Sequence, residues 1–506
     1  MTPLEFPVGT NLGAMIAPHC ADEQPWLIEV TPGAGHRVLT YGDLRDGAGA
    51  VARRLIADGR AARKARVGLI ALNSAEYLVA YYGIMQAGCC AVPMGWKLTP
   101  ETIAHVLRDA TVELVYCDAK WASLLHGQVA TQPIESAAVP ADATRARTRL
   151  EPVPGMQPGE FATILYTSGS TGFPKGVPLT HGGYIWTLRQ VEVNGGRMMR
   201  EEAARVLTAA PLSHMNALFL AKTVTAYGAT LVLMTTFEAR AFLEAAAEHR
   251  CSIVTAVPTM LALAAREHGH PPALDLDGVK SVAMGSAPVT EALFAQVHAL
   301  FPKAAVGNNW GTTETGPAVF GPHPRGLPRP PLALGHPLPQ VEVRLDGGGD
   351  EGELLVRNGA VMPGYLNRDD ETRKRLADGW YRTGDVMRRD ADGFFYFVGR
   401  TDDMFVCGGE NLYPGEIERL LETHPGVAQA AVIPVADEIK GQIPAAFIVR
   451  KPGATVTEDE VKAHALANGP VYQHPRFVRF IDEMPLSAAN KIDKKRIRDM
   501  ATDLGR

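Results

Sequence analysis

A chain of 506 residues is too long for one compact core, because domains usually hold about 50–250 residues; two or more folding units are expected. Apolar residues make up 46% and charged residues 21%, the balance of a soluble globular protein, and the net charge is −5. No basic run interleaves with aromatics, which excludes a nucleic-acid footprint.

The six cysteines (Cys20, Cys89, Cys90, Cys117, Cys251, Cys407) make no CxxC pair and no zinc spacing, which fits thiols in a reducing cytoplasm. The opening MTPLEFPVGTNLG lacks a basic region and an apolar region, so no secretory signal is expected. Residues 217–234, the longest apolar stretch, include Lys222, Tyr227 and Gly228. They read as a buried helix, a glycine turn and a strand, not as a membrane span.

In chain order, 66–72 is an apolar strand, 75–87 a helix and 89–93 a second strand. Thr99 caps a helix with Pro100 at its first position, and 112–117 is the next strand. Short strands recur at 161–166, 206–210, 252–257, 281–284 and 305–308, with helices at 239–249 and 290–300. Alternation of this kind predicts doubly wound α/β units. From 335 to 400 the pattern turns β-rich, with strands at 341–345, 352–357 and 394–398. A tail of about one hundred residues, a small-domain size, follows as an α+β unit. It has a helix at 414–422, strands at 427–435 and 445–450, and a helix running to Asn468 behind a Thr457/Glu460 capping box. We expect a large domain over 1–401 and a small one over 402–506.

Five segments carry chemistry. Tyr166-Thr167-Ser168-Gly169-Ser170-Thr171-Gly172-Phe173-Pro174-Lys175-Gly176 follows a strand and collects hydroxyls, free backbone N–H groups and one fixed positive charge, a set that suits a polyphosphate. It is not a Walker A loop, because Gly176 stands where Ser or Thr is needed. Trp310-Gly311-Thr312-Thr313-Glu314-Thr315-Gly316 sets a carboxylate among hydroxyls at a strand end, suited to Mg²⁺ and a phosphate; a plain polar turn would look the same. In Trp380-Tyr381-Arg382-Thr383-Gly384-Asp385 and Gly399-Arg400-Thr401-Asp402-Asp403, Asp385 and Arg400 could hold a ribose, or could form surface ion pairs. Lys491 and Lys494 lie in a polar turn near the C-terminus, which alone would read as a solvated tail.

In this order the segments resemble the adenylate-forming superfamily of acyl-CoA synthetases, peptide-synthetase adenylation domains and beetle luciferases. The resemblance spans residues 40–498 and is strongest toward acyl- and aryl-CoA ligases. It implies that Thr167, Ser168, Gly169, Ser170, Thr171, Gly172 and Lys175 hold the β- and γ-phosphates of ATP. Gly285, Ser286, Ala287 and Pro288 would line the adenine, with Trp310, Gly311 and Thr312 beside it. By the same likeness Thr313 meets the α-phosphate, Glu314 binds Mg²⁺, Asp385 and Arg400 hold the ribose, and Lys491 bridges the attacking carboxylate and the α-phosphate. Asp402 matches the hinge between domains, and Gly408 and Gly409 match a loop beside the coenzyme A channel. His214 matches a gate to the acyl pocket, which Asn216, Asn309, Gly316 and Pro317 would share. Relatives often carry lysine at Val406, Lys-x-Pro at Gln473-His474-Pro475 and glycine at Asn490.

The implied reaction is ATP-dependent activation of a carboxylic acid as an acyl-adenylate, then transfer to coenzyme A. Asn216 and Asn309 favour a hydroxylated aromatic acid such as a benzoate or cinnamate, and an apolar pocket would favour a medium-chain acid. Two other readings stay open: an enzyme that loads a free carrier protein's phosphopantetheine, and a nucleotide-binding scaffold without catalysis. Intact Lys175, Glu314, Asp385 and Lys491 oppose the scaffold. A cytoplasmic location is expected, and a homodimer is left open.

Overall fold

The computed structural model describes residues 11–138, 156–167, 173–193, 196–201, 203–267, 274–487 and 491–501. Two twisted sheets form most of the large domain. The first has six strands, in the order Ala130–Pro133, Val112–Cys117, Arg66–Ile70, Cys90–Pro93, Phe161–Thr167 and Lys175–Thr180. All neighbours are parallel except the last pair, where the chain folds straight back and Thr167 faces Lys175. The second has seven strands: Ala305–Asn309, Ser281–Gly285, Ile253–Ala256, Arg205–Thr208, Thr230–Met234, Pro25–Thr31 and Gly35–Thr40. Here too only the last pair is antiparallel.

The strands read from sequence are present, with ends moved by one or two residues, except that the strand expected at 445–450 begins four residues earlier, at Gly441. Parallel strands buried on both faces are continuous apolar runs, and that is why they were legible: Thr230–Met234 is buried throughout. Its preceding helix, Met215–Tyr227, ends at Gly228 with φ +84, the left-handed C-terminal cap that glycine adopts most readily. Side-chain caps start several helices: Thr99 accepts from the Thr102 N–H, and Thr290 from the Leu293 N–H. Among the described residues no helix is long and apolar enough to cross a membrane.

A five-stranded antiparallel sheet follows, built on Glu342–Leu345, Glu351–Arg357, Trp380–Arg389, Leu376–Ala377 and Phe395–Arg400. Sequence patterning missed Trp380–Arg389, because polar residues interrupt its apolar run. The small domain packs Pro414–Glu422 and Glu458–Asn468 on a sheet of Glu410–Leu412, Phe405–Cys407, Gly441–Arg450, Val427–Asp437 and Phe477–Phe480. The Thr457/Glu460 capping box forms as expected. One apolar cluster, from Phe405 to Ala501, belongs to this domain alone. The mixed α/β architecture, a large N-terminal domain and a small α+β C-terminal domain, agrees with the sequence.

Candidate active site

Strands Ser281–Gly285 and Ala305–Asn309 run side by side and leave the sheet together, with Gly285 opposite Asn309. A Cβ on Gly285 would lie 2.9 Å from the Asn309 carbonyl oxygen, so the close approach requires glycine there. Ser286 follows at φ +70, a left-handed conformation that costs a non-glycine residue about 1 kcal/mol or more and that collects at functional sites. Ala287 is half-buried, and Pro288 is exposed beside Ser286.

After Asn309 the chain doubles back. A Cβ on Gly311 would come within 2.6 Å of the Pro317 Cα, and Thr312 bridges Gly316. The hydroxyls of Thr312 and Thr315 lie 3.0 Å apart and stitch this turn. Gly316 has φ +73, and a Cβ there would point at Ala360 (3.2 Å) and Thr187 (3.3 Å). Backbone conformation therefore already demands glycine at 316, whatever space it leaves for a substrate. The tip of the turn presents half-buried Thr313 and buried Glu314. Glu314 Oε1 accepts from the Tyr365 hydroxyl at 2.9 Å, and the Tyr365 and Tyr381 hydroxyls lie 3.0 Å apart. Burial, and then the Glu314 charge, raise the pKa of both phenols, so both stay protonated as donors.

Asp385 and Arg400 are cross-strand partners. Arg400 Nη1 donates to Asp385 Oδ1 at 2.8 Å, and the Trp310 indole N–H donates to Oδ2 at 2.7 Å. The buried carboxylate thus joins the third segment to the second and fourth. Burial raises its pKa, against the opposing pull of Arg400 and Trp310.

Lys491 comes in from the small domain. Leu486 bridges Ile492, and the Ser487 N–H donates to the Lys491 carbonyl oxygen at 2.7 Å, so the residues on either side of 488–490 pair antiparallel. Burial lowers the pKa of the ammonium, as does the Arg400 charge, while Asp385 opposes them. On another side stands His214, at the start of helix Met215–Tyr227 with its side chain unused for capping. Burial first, then Lys491, push its imidazole down to about 4, so it is neutral at pH 7. Asn216 is half-buried in the first turn of the same helix; Asn309 is exposed and Pro317 half-buried.

Lys175, in the strand after the phosphate-type loop, forms an ion pair with Glu371 and lies 5.2 Å from the Tyr365 ring centroid. Tyr365 therefore links the lysine to Glu314. Ser168, Gly169, Ser170, Thr171 and Gly172 lie outside the described residues. Gly408 and Gly409 are exposed in a two-residue hairpin turn at φ +60 and +95; a Cβ on Gly409 would meet nothing within 4 Å. Asp402 is exposed between the two sheets, 3.2 Å from Arg375 Nη2.

Sequence reading gave no role to Tyr365, Tyr381, Glu371 or Arg329. Nothing in their local spacing could have paired Tyr365 with a residue 51 positions away. Arg329 Nη1 donates to the Asn308 carbonyl oxygen at 3.4 Å, and it and Asn309 Oδ1 each lie 3.5 Å from the place a Gly307 Cβ would take. Burial alone lowers its pKa, and no carboxylate among the described residues pairs with it.

Comparison with known proteins fits this arrangement. The AMP-binding enzyme family model matches residues 19–366, and its C-terminal domain model matches 416–491. The chain is 33% identical to a feruloyl-CoA synthase from an Amycolatopsis species, over 92% of this chain and 94% of that one. It is 32% identical to the sulfoacetate–CoA ligase of Cupriavidus necator, over 97% and 98%. Among solved structures, the o-succinylbenzoate CoA synthetase of Bacillus subtilis with its acyl-adenylate intermediate superposes with a TM-score of 0.82 at 26% identity, over 97% and 98% of the two chains. The chain belongs to the AMP-binding enzyme family.

Proposed function

We propose that this enzyme is an AMP-forming acid–CoA ligase that converts a carboxylic acid and ATP to acyl-AMP and pyrophosphate, then acyl-AMP and coenzyme A to acyl-CoA and AMP. The observation that supports this is electrostatic proximity: Lys491 feels the charges of Arg400 and Asp385, and His214 feels that of Lys491. On this reading Lys491 would stand between a ribose-binding carboxylate and the acyl pocket.

A carboxylate is a poor electrophile because its leaving group would be oxide; AMP is a better one. The attack drives one anion onto another, so catalysis consists chiefly of charge neutralisation and alignment. Lys491 would bridge the attacking carboxylate and the α-phosphate, with Thr313 donating to that phosphate. Lys175 and the loop 167–172 would hold the β- and γ-phosphates. Asp385 and Arg400 would hold the ribose, and Trp310 with 285–288 would enclose the adenine. Glu314 would offer Mg²⁺ a hard oxygen ligand, and the ion would supply positive charge to the polyphosphate. No general base is needed for adenylation, since the acid is ionised at pH 7. Neutral His214 would act as a wall and hydrogen-bonding group, not as a second cation. For the second step the small domain would turn about Asp402 and present Gly408–Gly409 to the coenzyme A thiol. Six buried, free cysteines suit a cytoplasmic setting.

For the acid, support comes from Asn309 and Arg329, neighbours beside Gly307, and from Asn216, which the family likeness assigns to the same pocket. They suit an aromatic acid with a hydroxyl at its far end, and feruloyl-CoA synthase is a relative. The test is kcat/KM for 4-coumarate, 4-hydroxybenzoate, octanoate and acetate, with AMP release followed with and without coenzyme A. We expect coenzyme A dependence and a hydroxylated aromatic acid first. Acetate as best substrate would overturn the pocket assignment. Adenylate that reacts with a carrier protein and not with coenzyme A would overturn the acceptor.

A further inference from the structure

The seven-stranded sheet has a second feature at the edge opposite Ala305–Asn309. His36, on edge strand Gly35–Thr40, meets the end of helix Ala239–Glu248. His36 Nδ1 lies 3.5 Å from Glu248 Oε1, and the rings of His36 and His249 meet edge-on with centroids 4.8 Å apart. One donor atom from each of the three residues lies within 4.8 Å of the others. None of them belongs to the catalytic cleft.

We propose that His36, Glu248 and His249 form a binding site for a divalent transition-metal ion, Zn²⁺ in the first instance. Two imidazole nitrogens and one carboxylate oxygen form a donor set that suits zinc, with water in the fourth position. His249 is the anchor. It is 5% exposed, and its Nε2 is buried with no hydrogen-bond partner, a state that costs on the order of 1–3 kcal/mol unless something fills it. Arg205 is engaged elsewhere, donating to the His249 carbonyl oxygen at 2.8 Å. Zinc bonds of about 2.0–2.1 Å in a tetrahedron put ligands about 3.4 Å apart. The His36–Glu248 pair already has that separation. Both side chains are well exposed, so small rotations can close the rest. The site also caps a helix C-terminus, the end that favours cations.

The ion would tie the edge strand to the helix and so guard an edge open to unwanted pairing. It should act on stability and leave chemistry alone. The test uses the full chain, stripped with a chelator and titrated with Co²⁺ followed by visible absorption, then with Zn²⁺ followed by thermal unfolding. We expect one Co²⁺ per chain with tetrahedral-type absorption, and a rise in Tm with Zn²⁺. His36→Asn and Glu248→Gln, both at exposed positions, should keep the fold and adenylation activity and weaken Co²⁺ binding at least about tenfold, the scale of losing a metal-site group. His249→Asn should do the same if it folds. Other histidine pairs, His323–His336 and His424–His464, would bind Co²⁺ equally in wild type and variants. Equal binding, or an equal Tm response in wild type and His36→Asn, overturns the proposal.

Discussion

The small domain carries two segments in opposite circumstances. The antiparallel pairing of Leu486 with Ile492 holds Lys491 in the fields of Asp385, Arg400 and His214. The turn at Gly408–Gly409 is exposed, and the Gly408 N–H donates to the Lys440 carbonyl oxygen at 3.1 Å. Its glycines are explained locally, since a two-residue hairpin turn with both φ positive favours glycine whatever surrounds it. Lys491 has no local explanation; its position acquires meaning only against residues far off in the chain, Arg400, Asp385 and His214. A glycine pair can thus be read from the chain as a turn, while the part proposed for Lys491 rests on a family likeness and on what surrounds it. The two segments also divide the proposed reaction, one serving each half.

The sharpest way to break that division is Lys491→Ala. Adenylation should fall on the order of 10²–10³-fold, the scale of one preorganised electrostatic donor. Thioester formation from supplied acyl-adenylate should persist. Normal adenylation by this variant would remove Lys491 from the mechanism.

Next in size is Asp402→Pro. Proline fixes φ, so a hinge there should stiffen. Thioesterification is expected to drop by about tenfold or more, about 1.4 kcal/mol in the barrier, with adenylation kept. Asp402→Ala is the control. It removes the exposed contact with Arg375, which contributes about 0–1 kcal/mol, and should spare both steps. Equal loss of both steps in the proline variant would place the hinge elsewhere.

Gly409 allows a finer cut. Gly409→Leu combines bulk with a disfavoured φ, whereas Gly409→Asn adds a side chain that tolerates the left-handed region. If the turn lines the coenzyme A channel, both variants should slow thioesterification, leucine more, and leave adenylation intact. An asparagine variant with wild-type turnover would mean that the glycine serves the backbone alone.

The smallest effect concerns pH. His214 and His181 are both depressed to about 4 from an ordinary 6.5, by burial first and then by Lys491 and Lys222 respectively. A neutral buried histidine takes up a proton on unfolding. The stability it contributes is therefore whole above pH 6.5 and is lost as pH falls toward 4. Tm measured from pH 7.5 to 4 should fall most across that window, and His214→Asn should flatten part of the fall. His214, half-exposed, should account for less of it than His181. An unchanged profile in His214→Asn would return its imidazole to ordinary titration.

What could be read from sequence follows the same division. Strands such as Thr230–Met234 were legible because burial on both faces writes a continuous apolar run, and Thr457/Glu460 because a cap is a four-residue device. The antiparallel strand Lys175–Thr180 was not read, because a polar loop hides that the chain turns straight back. Asp385 and Arg400 were singled out separately, but the hydrogen bond from Trp310 to Asp385 spans 75 positions and leaves no local trace. The Tyr365–Glu314 contact is of the same kind.

The ion pair between Lys175 and Glu371 has a bearing on turnover. If Lys175 serves the outer phosphates, then Glu371 is a resident counter-anion that ATP must displace. Nucleotide binding would then be an exchange of anions around one cation, and its apparent affinity would be the difference between two attractions. The exchange runs backward when pyrophosphate forms: the carboxylate, tethered and always near, competes for the lysine and repels the departing anion. Such an arrangement gives up some grip on the substrate in return for letting go of the first product, which must leave before coenzyme A can react.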